Sequence, residues 1–320
     1  MKRHLLAAAT LCFAGLAAAQ SDFPTRTITM LVGFAAGGAT DTAARIIAKK
    51  LTENMGQTVV VENMAGAGGN IAHQRMAGAT PDGYTILLGS VGPLAVSPHL
   101  FANLPYDPLK DLAPLTMAVS FSSVLVVNTG VPAKTLAEFV ALAKQKPGSL
   151  EFASTGVGSA SHLTGELFNQ RAGVDIVHVP YKGGSAAMPD LLSGRITAYY
   201  STHATAGPHI ESGKLVALAT TGLERSPFLP NVPTIAESGY PGFEASNWYA
   251  FVTSSKVPLA LQERWNKELV KALNSPDVKE QLAKHFLEPH PGTREDLGKY
   301  IKSEYDTWGR VVKKANITAN

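Results

Sequence analysis

The 320-residue chain has a single cysteine, Cys12. One thiol excludes a disulfide scaffold and a cysteine-rich metal site. Charge is also sparse. Only 17% of residues are charged, and 28 basic against 25 acidic residues leave +3 with no basic block. Nothing here makes an electrostatic footprint for nucleic acid. Catalytic signatures are missing too. There is no G-x-x-x-x-G-K-[ST], no H-E-x-x-H, and no serine with glycine at both i−2 and i+2. P-loop, zincin and hydrolase-elbow chemistry therefore lack their residues. The nine histidines are scattered, with no close carboxylate–histidine cluster, so neither a metal nor a cofactor is expected. His285 and His290 flank a proline-rich turn and read as surface residues.

Long apolar runs are confined to the start of the chain. Lys2 and Arg3 precede an apolar run from Leu5 to Leu16, and Ala17-Ala18-Ala19 follows. The run suits a signal h-region and is short for a membrane span. Residues 1–19 read as a secretory signal peptide cut after Ala19. Cys12 would leave with it, and Leu11 sits where lipid attachment needs a small residue. Loss of Lys2 and Arg3 leaves 26 basic against 25 acidic residues. No later stretch of about 18 apolar residues offers an anchor, so the expected compartment is a Gram-negative periplasm.

What is present alternates short apolar runs with amphipathic helices, an α/β pattern long enough for two domains. Thr27 to Val32 reads as a strand, followed by a helix with Ala43, Ile46, Ile47 and Leu51 on one face and Gly56 as its stop. Thr58 to Val61 and Thr85 to Leu88 are the next strands. Leu112 to Val127 reads as two extended pieces, the second being Val124 to Val127. Thr135 and Glu138 form a capping box ahead of a Leu136, Phe139, Val140, Ala143 stripe. Strand, helix and strand follow at Glu151 to Ser154, Ser161 to Arg171 and Asp175 to Val179. Pro189 to Ser193, Ile196 to Tyr200 and Val216 to Thr220 continue the alternation. After Thr253 come three helices with no strand between them, at Pro258 to Asn274, Asp277 to His285 and Thr293 to Ala315. The last carries a stripe of Leu297, Tyr300, Ile301, Tyr305, Trp308, Val311 and Val312. Three such helices need a sheet to cover, so the chain should cross back to the first sheet near Ala245 to Val252. The expected domains are 20–122 with 244–320, and an inserted 123–243, joined by two crossings.

The informative residues sit just after strands. Phe34 to Asp41 joins the first strand to the first helix, and Ser154 to His162 does the same in the inserted domain. Ligands of open parallel sheets bind beyond the carboxyl ends of the strands. A helix start there offers unpaired N–H groups and a positive dipole end to an anion. Neither turn holds Lys or Arg. The same turns also read as ordinary capped strand–helix joints. Gly66-Ala67-Gly68-Gly69 is similar to a dinucleotide fingerprint, but Ile71 stands where the third glycine belongs. His162, on a first helical turn, reads either as a packed cap residue or as a ligand contact.

Eight segments in order resemble the tripartite tricarboxylate transporter substrate-binding receptors, the Bug family. They are Thr29 to Asp41, Gly56 to Asn70, Pro81 to Thr85, Leu104 to Pro108, Ser161 to Leu167, His178 to Gly183, Leu229 to Thr234, and Trp248. The resemblance implies a two-domain periplasmic-binding-protein (Venus flytrap) fold of type II with two interdomain crossings. It implies a small carboxylate in the cleft, held by main-chain amides, hydroxyls and waters, and delivery to a two-subunit, ion-driven membrane permease. Carried over residue by residue, the ligand-binding positions are Phe34, Gly38, Ala39, Thr40 and Asp41, then Ser90, then Ser154, Thr155, Gly158, Ser159 and His162. Ser201 and Thr202 stand where family members often have an Asp-Asn pair, which bears on ligand identity. Trp248 and Tyr249 read as cleft wall or as hinge packing, and Lys182 as a ligand contact or a solvated surface cation. A monomer with no enzymatic activity is expected. The alternatives are a sensor-type binding protein and a periplasmic enzyme acting on a small carboxylate.

Overall fold

The computed structural model describes residues 23–315 and residue 317; the expected signal peptide lies outside the described residues. In the first lobe, β1 (Ile28–Val32) leads into α1 (Ala39–Met55), then β2 (Val59–Asn63), α2 (Asn70–Ala77) and β3 (Thr85–Ser90). A wide turn at Gly92–Val96 runs into the short α3 (Ser97–Leu100). The long strand β4 (Leu112–Asn128) carries the chain into the second lobe. There α4 (Leu136–Gln145), β5 (Leu150–Ser154), α5 (Ala160–Ala172), β6 (Ile176–Pro180) and α6 (Gly184–Leu192) alternate. They are followed by β7 (Ala198–Thr202), α7 (His203–Glu211) and β8 (Leu215–Thr220). The chain returns through β9 (Ser246–Ser254) to α8 (Leu259–Asn274), α9 (Pro276–Ala283), β10 (Glu288–Pro289) and α10 (Arg294–Ala315).

The strands pair in the order β2-β1-β3-β9-β4-β7-β5-β6. In the first lobe β1 pairs parallel with both β2 and β3, and β9 joins antiparallel to β3. In the second lobe β5 pairs parallel with β6 and β7. The two sheets share β4. Its Leu112 to Ser122 half pairs with β9, while Ser123 onward pairs with β7 on one edge and β8 on the other. These strands are near-continuous apolar runs because helices cover both faces. In the first lobe Ile47, Leu51, Trp265 and Leu269 pack on one face, and Met76, Trp248, Ile301 and Trp308 on the other. The second lobe repeats the plan with Phe139, Phe152 and Phe168 opposite Met188 and Leu191.

Local chemistry accounts for the element ends. Gly56 closes α1 in the left-handed region at φ 70°, its N–H donating to the Thr52 carbonyl. The Thr135/Glu138 capping box forms at the start of α4. Four expectations need correction. Leu112 to Val127 lies in one strand, not two, because pairing with β9 continues across register shifts at Pro114/Thr116 and Met117/Val119 and pairing with β7 takes over at Ser123. The return segment near Ala245 to Val252 is more than a crossing; it forms β9, a central strand with partners on both edges. A strand also interrupts the C-terminal helices, where Glu288 and Pro289 pair with Ser120 and Val119. It is only two residues long, too short to leave a periodic trace in the sequence. On α10 the stripe is narrower than expected, since Tyr300 is 37% exposed.

Candidate functional site

Strand carboxyl ends and helix starts from both lobes meet at one cavity. Phe34 follows β1, Ser90 ends β3, Thr155 follows β5 and Thr202 ends β7, and all four line it. Gly38, Ala39 and Thr40 bring the start of α1, Ala160 and Ser161 that of α5, and Gly184 that of α6. Thr202 and Thr205 bring the start of α7. Two of these helices are capped by their own side chains. The Ser159 hydroxyl accepts from the His162 amide, and the Thr202 hydroxyl from the Thr205 amide. At Gly38 and Gly183 no side chain caps the helix, so the first amides of α1 and α6 have no side-chain partner. The cavity is small, about 30 Å³, and roomier hollows of about 220 and 460 Å³ lie elsewhere. The converging helix starts, not volume, mark the site.

No Lys, Arg, His, Asp or Glu lines this cavity. An anion held there meets amides and hydroxyls only. Burial pushes the Tyr249 phenol up to about 12, although the neighbouring Thr40 hydroxyl draws it down. Burial likewise raises Tyr199 well above the usual phenol value. Both phenols are therefore protonated donors at neutral pH. The lobes also touch across the cleft. The Ala35 amide donates to the Lys182 carbonyl at 3.0 Å, and the Ser185 hydroxyl donates to the Ala36 carbonyl at 2.8 Å. The Tyr181–Gly183 turn thus meets the first lobe through main chain, while the Lys182 side chain is exposed.

Of the residues expected at the site, Phe34, Gly38, Ala39, Thr40, Ser90, Thr155 and Thr202 line the cavity. The other seven stand behind it. The Asp41 carboxylate accepts from the Gly37 amide, Arg45 Nε and Asn63 Nδ2 at 2.9, 2.9 and 3.0 Å. Burial pushes this carboxyl up, but those three donors outweigh it and hold it below the usual range. Asp41 therefore braces the turn and does not line the cavity. Gly158 donates its amide to His162 Nδ1 at 3.2 Å, and Ser159 is a cap. The Ser154 hydroxyl lies 2.5 Å from His178 Nε2 and is fully buried. Ser201 turns its hydroxyl to the Thr202 carbonyl. Trp248 is fully buried, its indole donating to Glu304 at 3.0 Å. Strand alternation explains the last case: on β9 it is Asn247 and Tyr249 that reach the cavity. Sequence reasoning missed Ala160, Ser161, Gly184, Tyr199, Tyr200, Thr205 and Asn247. Only those at the helix starts of α5, α6 and α7 carried a local signal.

His162 and His178 stack with ring centres 4.0 Å apart behind the Thr155–Ser161 turn. Burial lowers His162 to about 4. Burial first, and the neighbouring His162 second, lower His178 to about 3. Both rings are neutral at neutral pH. Below their ordinary value of 6.5 the unfolded chain takes up protons that the folded pair refuses. The stability they contribute is complete above pH 6.5 and falls away as pH drops toward 4 and 3. The melting temperature should be level from about pH 7 to 8 and decline below about pH 6.5. The decline should be shallower in His178→Gln; identical profiles would contradict this origin.

The class of protein is set by this geometry: two α/β lobes joined through paired central strands, with a cleft between them, as in periplasmic solute-binding proteins. Comparison with known proteins agrees. Residues 43–317 match the family described as tripartite tricarboxylate transporter family receptor. The chain is 40% identical over 304 residues to BugT of Bordetella pertussis, covering 94% of this chain and 93% of that one. Among solved structures, an R. palustris protein with adipate superposes with a TM-score of 0.89 at 33% identity, covering 92% of this chain and 99% of that one. MatC from Rhodopseudomonas palustris with bound malate gives 0.87 at 33% identity, with 91% and 100% covered. The chain belongs to the tripartite tricarboxylate transporter receptor family. Among the described residues no helix is long and apolar enough to cross a membrane.

Proposed function

We propose that this chain is a periplasmic receptor that captures a small carboxylate between its lobes and presents it to a two-subunit membrane permease. The lobes are residues 20–122 with 244–320, and residues 123–243. The change of sheet partner along β4 between Ser122 and Ser123 supports that division. Export relies on the signal peptide at residues 1–19, and the working form is a monomer. One observation carries the reading: helix starts from both lobes line a single cavity that has no charged side chain. Bound adipate and malate in two relatives support the choice of carboxylate.

The mechanism is capture without chemistry. An open cleft offers the ligand the amides of one lobe only. Closure adds those of the other, so binding and closure are coupled. Each helix start is worth ~0.3–1 kcal/mol to an anion at an exposed site and up to about 2 when partly buried. Amide and hydroxyl bonds to a charged group add roughly 1.5–3 kcal/mol each. Desolvated neutral donors thus hold the anion without a cationic clamp. The Ser154–His178 pair gives no nucleophile to this site, since Ser154 is sealed in the core and outside the lining.

Thermal melting of the exported chain against a panel of carboxylates tests this reading. A ligand at 100 times its dissociation constant stabilises by about 2.7 kcal/mol. That raises the melting temperature by roughly 5 °C or more. Malate, adipate or a close analogue should do so; no shift with any panel member would overturn the proposal.

A further inference from the structure

Gly66-Ala67-Gly68-Gly69 has no part in the cavity lining, yet the fold brings it against the second lobe. A Cβ on Gly68 would overlap the Val157 carbonyl oxygen, and one on Gly156 would lie 2.8 Å from the Gly68 nitrogen. Gly92, from the wide turn before α3, faces the same segment. Its Cβ would sit 2.7 Å from the Gly158 carbonyl oxygen and 3.1 Å from the Ser159 Cα. Real Cβ atoms essentially never approach other atoms below 3.0 Å, so main chain packs on main chain here with no space for a side chain.

We infer that Gly68 and Gly92 of the first lobe, meeting Gly156 and Gly158 of the second, form a glycine seam that permits full closure of the cleft. Through it these residues set ligand affinity without touching ligand. The inference rests on the reading of a cleft that opens and closes. Gly68 sits at φ 63°, so its glycine also serves the local turn. Gly92 does not share that need, since its φ lies outside the left-handed region. The three atoms nearest a Gly92 Cβ all belong to the second lobe. Gly92→Ala should therefore leave the open form untouched and obstruct only the closed one.

A crosslink reads closure without any ligand. A Cβ on Gly37 would lie 3.9 Å from that of Ser185, within disulfide range. Residues from 20 onward contain no cysteine. In a Gly37→Cys/Ser185→Cys background, mild oxidation should form the disulfide at least tenfold more slowly once Gly92→Ala is added. Gly92→Ala alone should weaken adipate or malate binding at least tenfold, with an unchanged ligand-free melting temperature. Gly68→Ala should slow the crosslink as well, and gives a second reading if Gly92→Ala folds poorly. Equal crosslinking rates, or a lowered ligand-free melting temperature with unaltered affinity, would overturn the seam. If the parent chain binds neither adipate nor malate, the carboxylate reading fails, while the crosslinking rates still decide the seam.

Discussion

An Ala160→Asp variant should lose at least a hundredfold in affinity for the carboxylate and lose no stability without it. Ala160 is the first residue of α5 and lines the cavity. An aspartate there places a negative charge where the ligand's own charge is proposed to sit. No Lys, Arg or His in the lining can offset the repulsion. In a dry cleft the effective dielectric is low, so like charges interact strongly. A hundredfold loss corresponds to about 2.7 kcal/mol, well within such repulsion. The ligand-free protein responds in the other direction. A carboxylate in the first turn of a helix stabilises it by ~0.3–1 kcal/mol. The melting temperature without ligand should hold or rise slightly as affinity collapses. Calorimetric titration and thermal melting of the one variant check both signs. Unchanged affinity would remove the α5 start from the site.

Trp248→Ala should produce the largest loss of stability of any single change considered, about 3–5 kcal/mol, as expected for emptying a fully buried indole site. Trp248 packs among Met76, Ile301 and Trp308, edge-on to Tyr300 at 5.5 Å between ring centres. Its loss also takes the 3.0 Å indole donor from Glu304, leaving Trp308 at 3.4 Å as the other indole on that carboxylate. At roughly 2–4 °C per kcal/mol, the melting temperature should fall by about 10 °C. Trp248→Phe keeps most of the volume and should cost less. Neither should change ligand specificity, because Trp248 lies on the face of β9 away from the cavity. An altered ligand preference in Trp248→Phe at near-parental stability would put the indole back at the cleft wall.

Much of this fold was legible because its strongest signals are local. The Thr135/Glu138 box, the Gly56 stop and the β1–turn–α1 unit each depend on a few adjacent residues, and each appears in the structure. The long β4 was harder to read. Its two halves serve different sheets, and the first half is held by β9, some 130 residues further along the chain. The site divides in the same way. The turns after β1 and β5 could be placed by the rule for strand carboxyl ends, while Ser90 at the end of β3 came from the family resemblance. Tyr199 and Asn247 could not, and Tyr249 could not be told from Trp248, because which face of β7 or β9 looks inward depends on tertiary pairing. A shift of one residue exchanges every side chain between faces, and that is the difference between Trp248 and Tyr249. Asp41 shows a second limit. Its place on the first turn of α1 and the Arg45 partner one turn along were local, but its commitment to Asn63 depends on β2 lying beside β1.

The central claim is that neutral helix starts from both lobes hold the ligand. Amide chemical shifts of the isotopically labelled exported chain, titrated with malate or adipate, test it most directly. The account predicts saturable one-to-one shifts concentrated at Gly38, Ala39 and Thr40 in the first lobe and at Ala160, Ser161 and Gly184 in the second. Shifts confined to one lobe, or centred on exposed lysines away from these helix starts, would contradict it.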